Sequence, residues 1–172
     1  KIFKCIFFYK IMNKNISYRF FNNLNKKYDK SILNYKKNNK WNSVDNMQLK
    51  YLINNCIQHY KDNNINPGDR IVYCGNNSVE WVAWNLSCYM VGGIWVPMYN
   101  NQSDNYYNHI IEDCDPKLLI YENASKLQLE NTKLRQIKNE INPEINYDQE
   151  HFEVSNENIA TLIYSSGTTG NP

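Results

Sequence analysis

The densest chemistry in this chain is the run Ser165-Ser166-Gly167-Thr168-Thr169-Gly170. Four hydroxyl side chains and two glycines fall within six residues. Glycine accepts positive φ and lets a ligand come close to the backbone. Successive N–H groups in such a turn form a concavity suited to anions, and hydroxyls rotate to donate to phosphate oxygens. The run can therefore cradle phosphate. It is not a G-x-x-x-x-G-K-[ST] loop, because its glycines are three apart and no lysine is present. Nor is it G-x-G-x-x-G. Composition and spacing alone leave a second reading open, a flexible Gly/Ser/Thr turn.

Other reactive residue types form no pattern. Cys5, Cys56, Cys74, Cys88 and Cys114 are odd in number and contain no C-x-x-C pair. His59, His109 and His151 stand alone. Neither a zinc site nor a disulfide framework is expected, and a reducing, intracellular setting follows, cytoplasmic or membrane-associated. Nineteen Lys and Arg against seventeen Asp and Glu give a net charge of +2, too small to argue for nucleic acid or an anionic membrane surface. The tract Tyr35-Lys36-Lys37-Asn38-Asn39-Lys40 reads as solvated positions filled by a bias toward Asn and Lys.

The elements that must position the hydroxyl-rich run are legible upstream. Asn42 to Asp45 offers capping side chains, and Leu49, Leu52, Ile53, Cys56, Ile57 and Tyr60 follow at helical spacing. Asn66-Pro67-Gly68-Asp69 is a turn and residues 70–74 a short strand. Asn77-Ser78 caps a helix over about 79–91, apolar nearly all round, which Gly92-Gly93 stops. Residues 94–96 make the next strand, and Ser103-Asp104 caps a helix through about Cys114. Asp115-Pro116 breaks it, and 117–121 is a strand. A helix is expected over about 126–137, then a polar loop, then a final strand over 159–164 that feeds the hydroxyl-rich run. Alternating strands and helices indicate βαβ units and a mostly parallel sheet, the α/β class. In such sheets ligands bind at the carboxyl ends of the strands. Residues 1–42 read as an N-terminal extension, ordered at best in part.

Two apolar stretches bear on membranes. Ile2 to Met12 is short and interrupted by Lys4 and Lys10, with no clear cleavage site. Val79 to Met98 carries Glu80, Asn85, Gly92-Gly93 and Pro97, so a buried helix followed by a strand is expected instead of a span.

Tyr164 to Pro172 resembles the signature of the adenylate-forming superfamily, which includes acyl-CoA synthetases, luciferases and peptide-synthetase adenylation domains. All nine residues match in type and order. The family's G-D-R-V segment and N-x-x-E-W helix start are similar to Gly68-Asp69-Arg70-Ile71-Val72 and Asn76-Asn77-Ser78-Val79-Glu80-Trp81. Gly92-Gly93-Ile94-Trp95-Val96-Pro97-Met98-Tyr99 resembles a segment of fatty acyl-CoA synthetases. The resemblance covers about 43–172 and implies the N-terminal part of an adenylation domain, ending after its phosphate loop. It implies that Ser165, Ser166, Gly167, Thr168, Thr169 and Gly170 hold the β- and γ-phosphates of ATP, Thr168 and Thr169 by direct hydroxyl contact. Tyr164 is expected to pack, Trp81 and Trp95 to lie in the core, and Glu80 to favour its helix start.

The implied reaction joins a carboxylic acid, most simply a fatty acid, to AMP and then to coenzyme A, with ATP and Mg²⁺ required. Small molecules and not nucleic acid are the implied partners, and the resemblance allows peripheral membrane association of a longer parent. The chain begins at Lys1 and ends at Pro172. A fragment is therefore expected, with no catalytic residue of its own, inactive and of marginal stability because of an open sheet edge. A non-catalytic remnant that binds nucleotide weakly or not at all is the alternative.

Overall fold

The structure, a computed structural model, describes residues 16–24, 31–122, 134–141 and 157–164. In chain order its elements are α1 (Ile16–Leu24), β1 (Leu33–Lys37), β2 (Lys40–Val44), α2 (Asn46–Asp62), β3 (Arg70–Cys74), α3 (Val79–Met90), β4 (Ile94–Met98), α4 (Asp104–Cys114), β5 (Leu118–Tyr121) and β6 (Arg135–Lys138).

Helix starts follow from short polar side chains. Asp45 accepts from the Gln48 amide at 2.8 Å, and the Gln48 side chain accepts from the Asp45 amide at 2.9 Å, closing a capping box at α2. Ser78 and Ser103 accept in the same way from Trp81 and Tyr106 at α3 and α4. Leu49, Ile53, Cys56, Ile57 and Tyr60 of α2 are buried, as their spacing requires. Helix α3 stops at Met90. Gly92 then takes a φ of +74° and its carbonyl accepts from the Gly68 amide at 2.8 Å.

Four strands form a parallel sheet in the order β4-β3-β5-β6. Period-two alternation splits its side chains between two faces. Ile71, Tyr73, Trp95, Leu118 and Ile120 pack with α2 and α3, whereas Val72, Cys74, Val96, Met98 and Leu119 pack with α4. Helices therefore cover both faces of the sheet, as a parallel sheet needs. Helix α1 lies against α2 and α3, with Leu24 in the same core.

Two elements differ from the sequence reading, and a further region holds elements that it did not specify. Residues 135–138 form β6 and not the end of a helix. Leu134 and Ile137 fit helical spacing, yet they enter opposite clusters, as residues three apart do in a strand. The open edge of β5 supplied the backbone partners that settled the matter.

Before residue 43, where partial order was expected, the chain forms α1 and an antiparallel hairpin, β1–β2. Asn38 and Asn39 turn it with φ of 50° and 59°, as a two-residue hairpin of the I′ kind requires.

The strand expected over 159–164 is a single parallel bridge, Thr161 to Trp95. Trp95 donates to the Ala160 carbonyl and accepts from the Leu162 amide, both at 2.9 Å. Two residues along β4, the next outward-facing position is Pro97, which has no N–H to continue the ladder.

Candidate functional site

The segment leading to the hydroxyl-rich run is held from three sides. Its backbone hangs on the outer edge of β4 through the two bonds to Trp95. The hydroxyls of Tyr89, near the end of α3, and Thr161 lie 2.6 Å apart. Beyond the bridge Leu162 and Tyr164 pack on the apolar cluster beneath α4, while Ile163 faces outward. The Tyr164 hydroxyl donates to the Asp113 carboxylate on the last turn of α4. Burial lifts the Tyr164 phenol well above its ordinary range, and the bond to Asp113 adds to that. Tyr164 thus ends this segment as a neutral anchoring side chain at any ordinary pH.

Beside it opens a pocket of about 450 Å³ lined by Arg70, Asp113, Cys114, Asp115, Leu162, Ile163 and Tyr164. Its charged wall is structural. Arg70 donates to the carbonyls of Cys114 (2.6 Å) and Asp115 (2.8 Å), satisfying the last carbonyls of α4 where Asp115 turns left-handed. Next to this, Lys117 pairs with Asp69 at 2.9 Å. These contacts tie the beginnings of β3 and β5 to the end of α4.

At the opposite end of the sheet, Asn76, Asn100 and Glu122 each lie one or two residues past a strand. The Glu122 carboxylate accepts from the Asn76 amide (2.9 Å) and side chain (2.8 Å), and Asn100 donates to the Asn76 side-chain oxygen at 2.9 Å. This network links the carboxyl ends of β3, β4 and β5, the end where open α/β sheets bind ligands. The sequence reading did not single it out. Its signal was present, since three polar residues each stand one or two positions past an apolar strand.

The six residues expected to cradle phosphate, Ser165, Ser166, Gly167, Thr168, Thr169 and Gly170, lie outside the described residues, as do Cys5 and His151. The described residues end at Tyr164, which directly precedes that run in sequence. No thiol among them is poised to react: Cys56, Cys74, Cys88 and Cys114 are buried. Burial raises Cys56 and Cys88 well above the usual thiol range, and lifts Cys114 to about 11 against the pull of Arg70. No group of three or more His, Cys, Asp or Glu is placed to hold a metal among the described residues.

Trp95 is buried, with Trp81 edge-on to it at 5.8 Å, so both indoles serve the core. Glu80 stands in the first turn of α3, where it opposes the helix dipole. The stretch Val79 to Met98 divides into α3 and β4, and no helix among the described residues is long and apolar enough to cross a membrane.

The family model for AMP-binding enzymes matches residues 20–172. This chain belongs to the AMP-binding enzyme family. The match begins ahead of the hairpin, so α1 from Phe20 onward, β1 and β2 fall within the region shared with the family. Among curated relatives, the hybrid PKS-NRPS synthetase LUC5 of Fusarium sp is 30% identical over 135 residues, covering 73% of this chain and 3% of that protein. The long-chain-fatty-acid–CoA ligase ACSBG1 of Homo sapiens is 24% identical over 181 residues, covering 89% of this chain and 25% of the ligase. The chain thus spans a quarter or less of the curated relatives it matches.

The fold agrees. The Klebsiella oxytoca NpsA N-terminal subdomain superposes with a TM-score of 0.76 at 14% identity, over 93% of this chain and 41% of that one. A fatty acyl-adenylate ligase from L. pneumophila, in complex with acyl adenylate and pyrophosphate, gives 0.67 at 18% identity, over 79% and 25%. At those identities the likeness is one of fold.

Proposed function

We propose that this chain is the N-terminal part of an adenylation domain whose parent activates a carboxylic acid with ATP, the acid being a fatty acid and the product its coenzyme A thioester. The observation that carries the reading is the continuous signature Tyr164 to Pro172, set at the end of a segment anchored to an AMP-binding α/β subdomain. The substrate carboxylate attacks the α-phosphorus of ATP, the bond to the bridging oxygen breaks, and pyrophosphate leaves. The thiol of coenzyme A then attacks the acyl carbon and displaces AMP. Backbone amides of Gly167 and Gly170 and the hydroxyls of Thr168 and Thr169 would offset charge on the departing β- and γ-phosphates, a preorganised electrostatic contribution.

The work of the described residues is positional. The Trp95 bonds, the Tyr89–Thr161 contact and the Tyr164–Asp113 bond anchor the segment that precedes the proposed cradle. Mg²⁺ would share the phosphate charge when bound; no donor set for it gathers among the described residues. Fatty-acid ligases among the relatives and the Val96-Pro97-Met98-Tyr99 segment favour a fatty acid. Multi-domain synthetases among the relatives make an amino acid the competing substrate.

ATP–pyrophosphate exchange by the full-length parent tests both levels. Exchange dependent on fatty acids, reduced about 100-fold or more by a Thr168→Ala/Thr169→Ala double variant, is the expected result. Exchange with amino acids alone would overturn the fatty-acid assignment and keep adenylation. No exchange with any acid would overturn adenylation and leave the non-catalytic remnant.

A further inference from the structure

The β1–β2 ribbon stands off the body of the protein. Every residue from Asn34 to Ser43 is exposed, and among the described residues only its root, through Ile32, Leu33 and Val44, joins the core. Ser31 to Val44 contains Lys36, Lys37 and Lys40 and no acidic residue. None of the ion pairs among the described residues involves these lysines. Trp41 is 74% exposed, whereas Trp84 and Trp95 are buried and Trp81 is partly so. A free-standing two-stranded ribbon gains little from its own pairing, and an indole left in water forgoes its burial. Such a ribbon is kept at a cost in stability.

Register decides what could cover it. Trp41 faces Lys36 across the ribbon, and Tyr35 faces Asn42, so the two aromatics project from opposite faces. They cannot make one stacking platform for bases. Both flank the turn instead, Trp41 two residues past Asn39 and Tyr35 three residues before Asn38, roughly 7–10 Å back from the tip at strand rise. Lys37 and Lys40 pair directly across the turn. A tip-first approach would therefore bring three ammonium groups and both aromatic rings into one thin layer. That layer matches the anionic headgroup region of a bilayer, where Trp and Tyr gather and each nearby lysine strengthens attachment. Net charge hides this, because screening makes the local charge within about 10 Å decisive.

We propose that the β1–β2 hairpin is a membrane-docking element that seats tip-first on an anionic bilayer surface, with Trp41 in the headgroup layer. It goes beyond the acid-activation reading and does not depend on it.

Vesicle flotation of the 172-residue chain, with neutral phosphatidylcholine and with phosphatidylcholine containing phosphatidylserine, tests it. Expected is binding to the anionic vesicles alone, weakened by salt, with a blue shift of Trp41 emission and quenching by bromine-labelled lipid. Lys36→Glu/Lys37→Glu/Lys40→Glu should weaken binding by about 100-fold or more, and Trp41→Ser should abolish the blue shift. The quenching readout needs no variant and stands even if a variant misfolds. Equal binding by neutral vesicles, unchanged binding of the charge-reversed variant, unquenched Trp41, or tighter binding to an RNA oligonucleotide would each overturn the proposal. So would protection of Trp41 from bromine-labelled lipid in the full-length protein, which would assign the ribbon to a contact within the parent.

Discussion

Removing the Tyr89 hydroxyl isolates the contact that pins the segment before the hydroxyl-rich run. In Tyr89→Phe the 2.6 Å contact with the Thr161 hydroxyl disappears while the ring stays. The Asn85 amide, which also donates to that hydroxyl at 3.0 Å, is part-buried, and water can take its place. The net loss is therefore that of one partly buried side-chain hydrogen bond, about 1 kcal/mol. The segment leaves the sheet by breaking two backbone bonds at Trp95, so it opens as a local unit. A loss of about 1 kcal/mol multiplies its open population roughly fivefold. Amide hydrogen exchange reads this directly: the Leu162 amide, which donates to the Trp95 carbonyl, should exchange roughly fivefold faster. The amides of Val72 and Leu119, inside the sheet, should not change.

Thr161→Val should act the same way, and the double variant should be no worse than either single one, because both remove one bond. An unchanged Leu162 amide in a folded Tyr89→Phe protein would refute the tether. Equal acceleration of the Val72 amide would show instead that the segment opens only with the whole sheet.

Other consequences are open to measurement. Gly93→Ala places a Cβ 2.7 Å from the Ile71 Cδ1 and 3.0 Å from the Cys88 sulfur, so overpacking should cost about 1–3 kcal/mol, read as a lower urea midpoint at unchanged slope. Asp45→Ala removes the capping box of α2 and should cost about 1 kcal/mol, with Asp45→Asn retaining most of it. The folded state holds the Cys114 thiol protonated up to about 11, against an ordinary value of 9.0. As pH rises between the two, the unfolded chain loses this proton and the folded chain keeps it, so stability present below about 9 is lost toward about 11. Thermal melts across that interval should fall less steeply for Cys114→Ala. Cys56 and Cys88, raised further by burial, should resist alkylation at pH 8 until the protein unfolds.

Much of the scaffold was written locally. Asp45, Ser78 and Ser103 cap their helices because a short polar side chain reaches an amide three residues on, which sequence alone dictates. The buried stripe of α2 and the Gly92 stop follow from periodicity and backbone sterics. The α/β alternation was legible for the same reason, whereas the run from Tyr164 onward was legible only through its resemblance to the family's signature.

What the tertiary structure decided depended on partners distant in sequence. Leu134 and Ile137 are compatible with helix or strand, and the free edge of β5 chose the strand. Residues 159–164 have strand composition, yet Pro97, more than sixty positions earlier, withholds the donor that a longer ladder needs. The hairpin escaped the sequence reading because exposure on both faces leaves no apolar alternation to detect. Only long-range pairing places Tyr89 beside Thr161 and Asp113 beside Tyr164, because hydrogen bonds across 72 and 51 residues leave no trace in local composition.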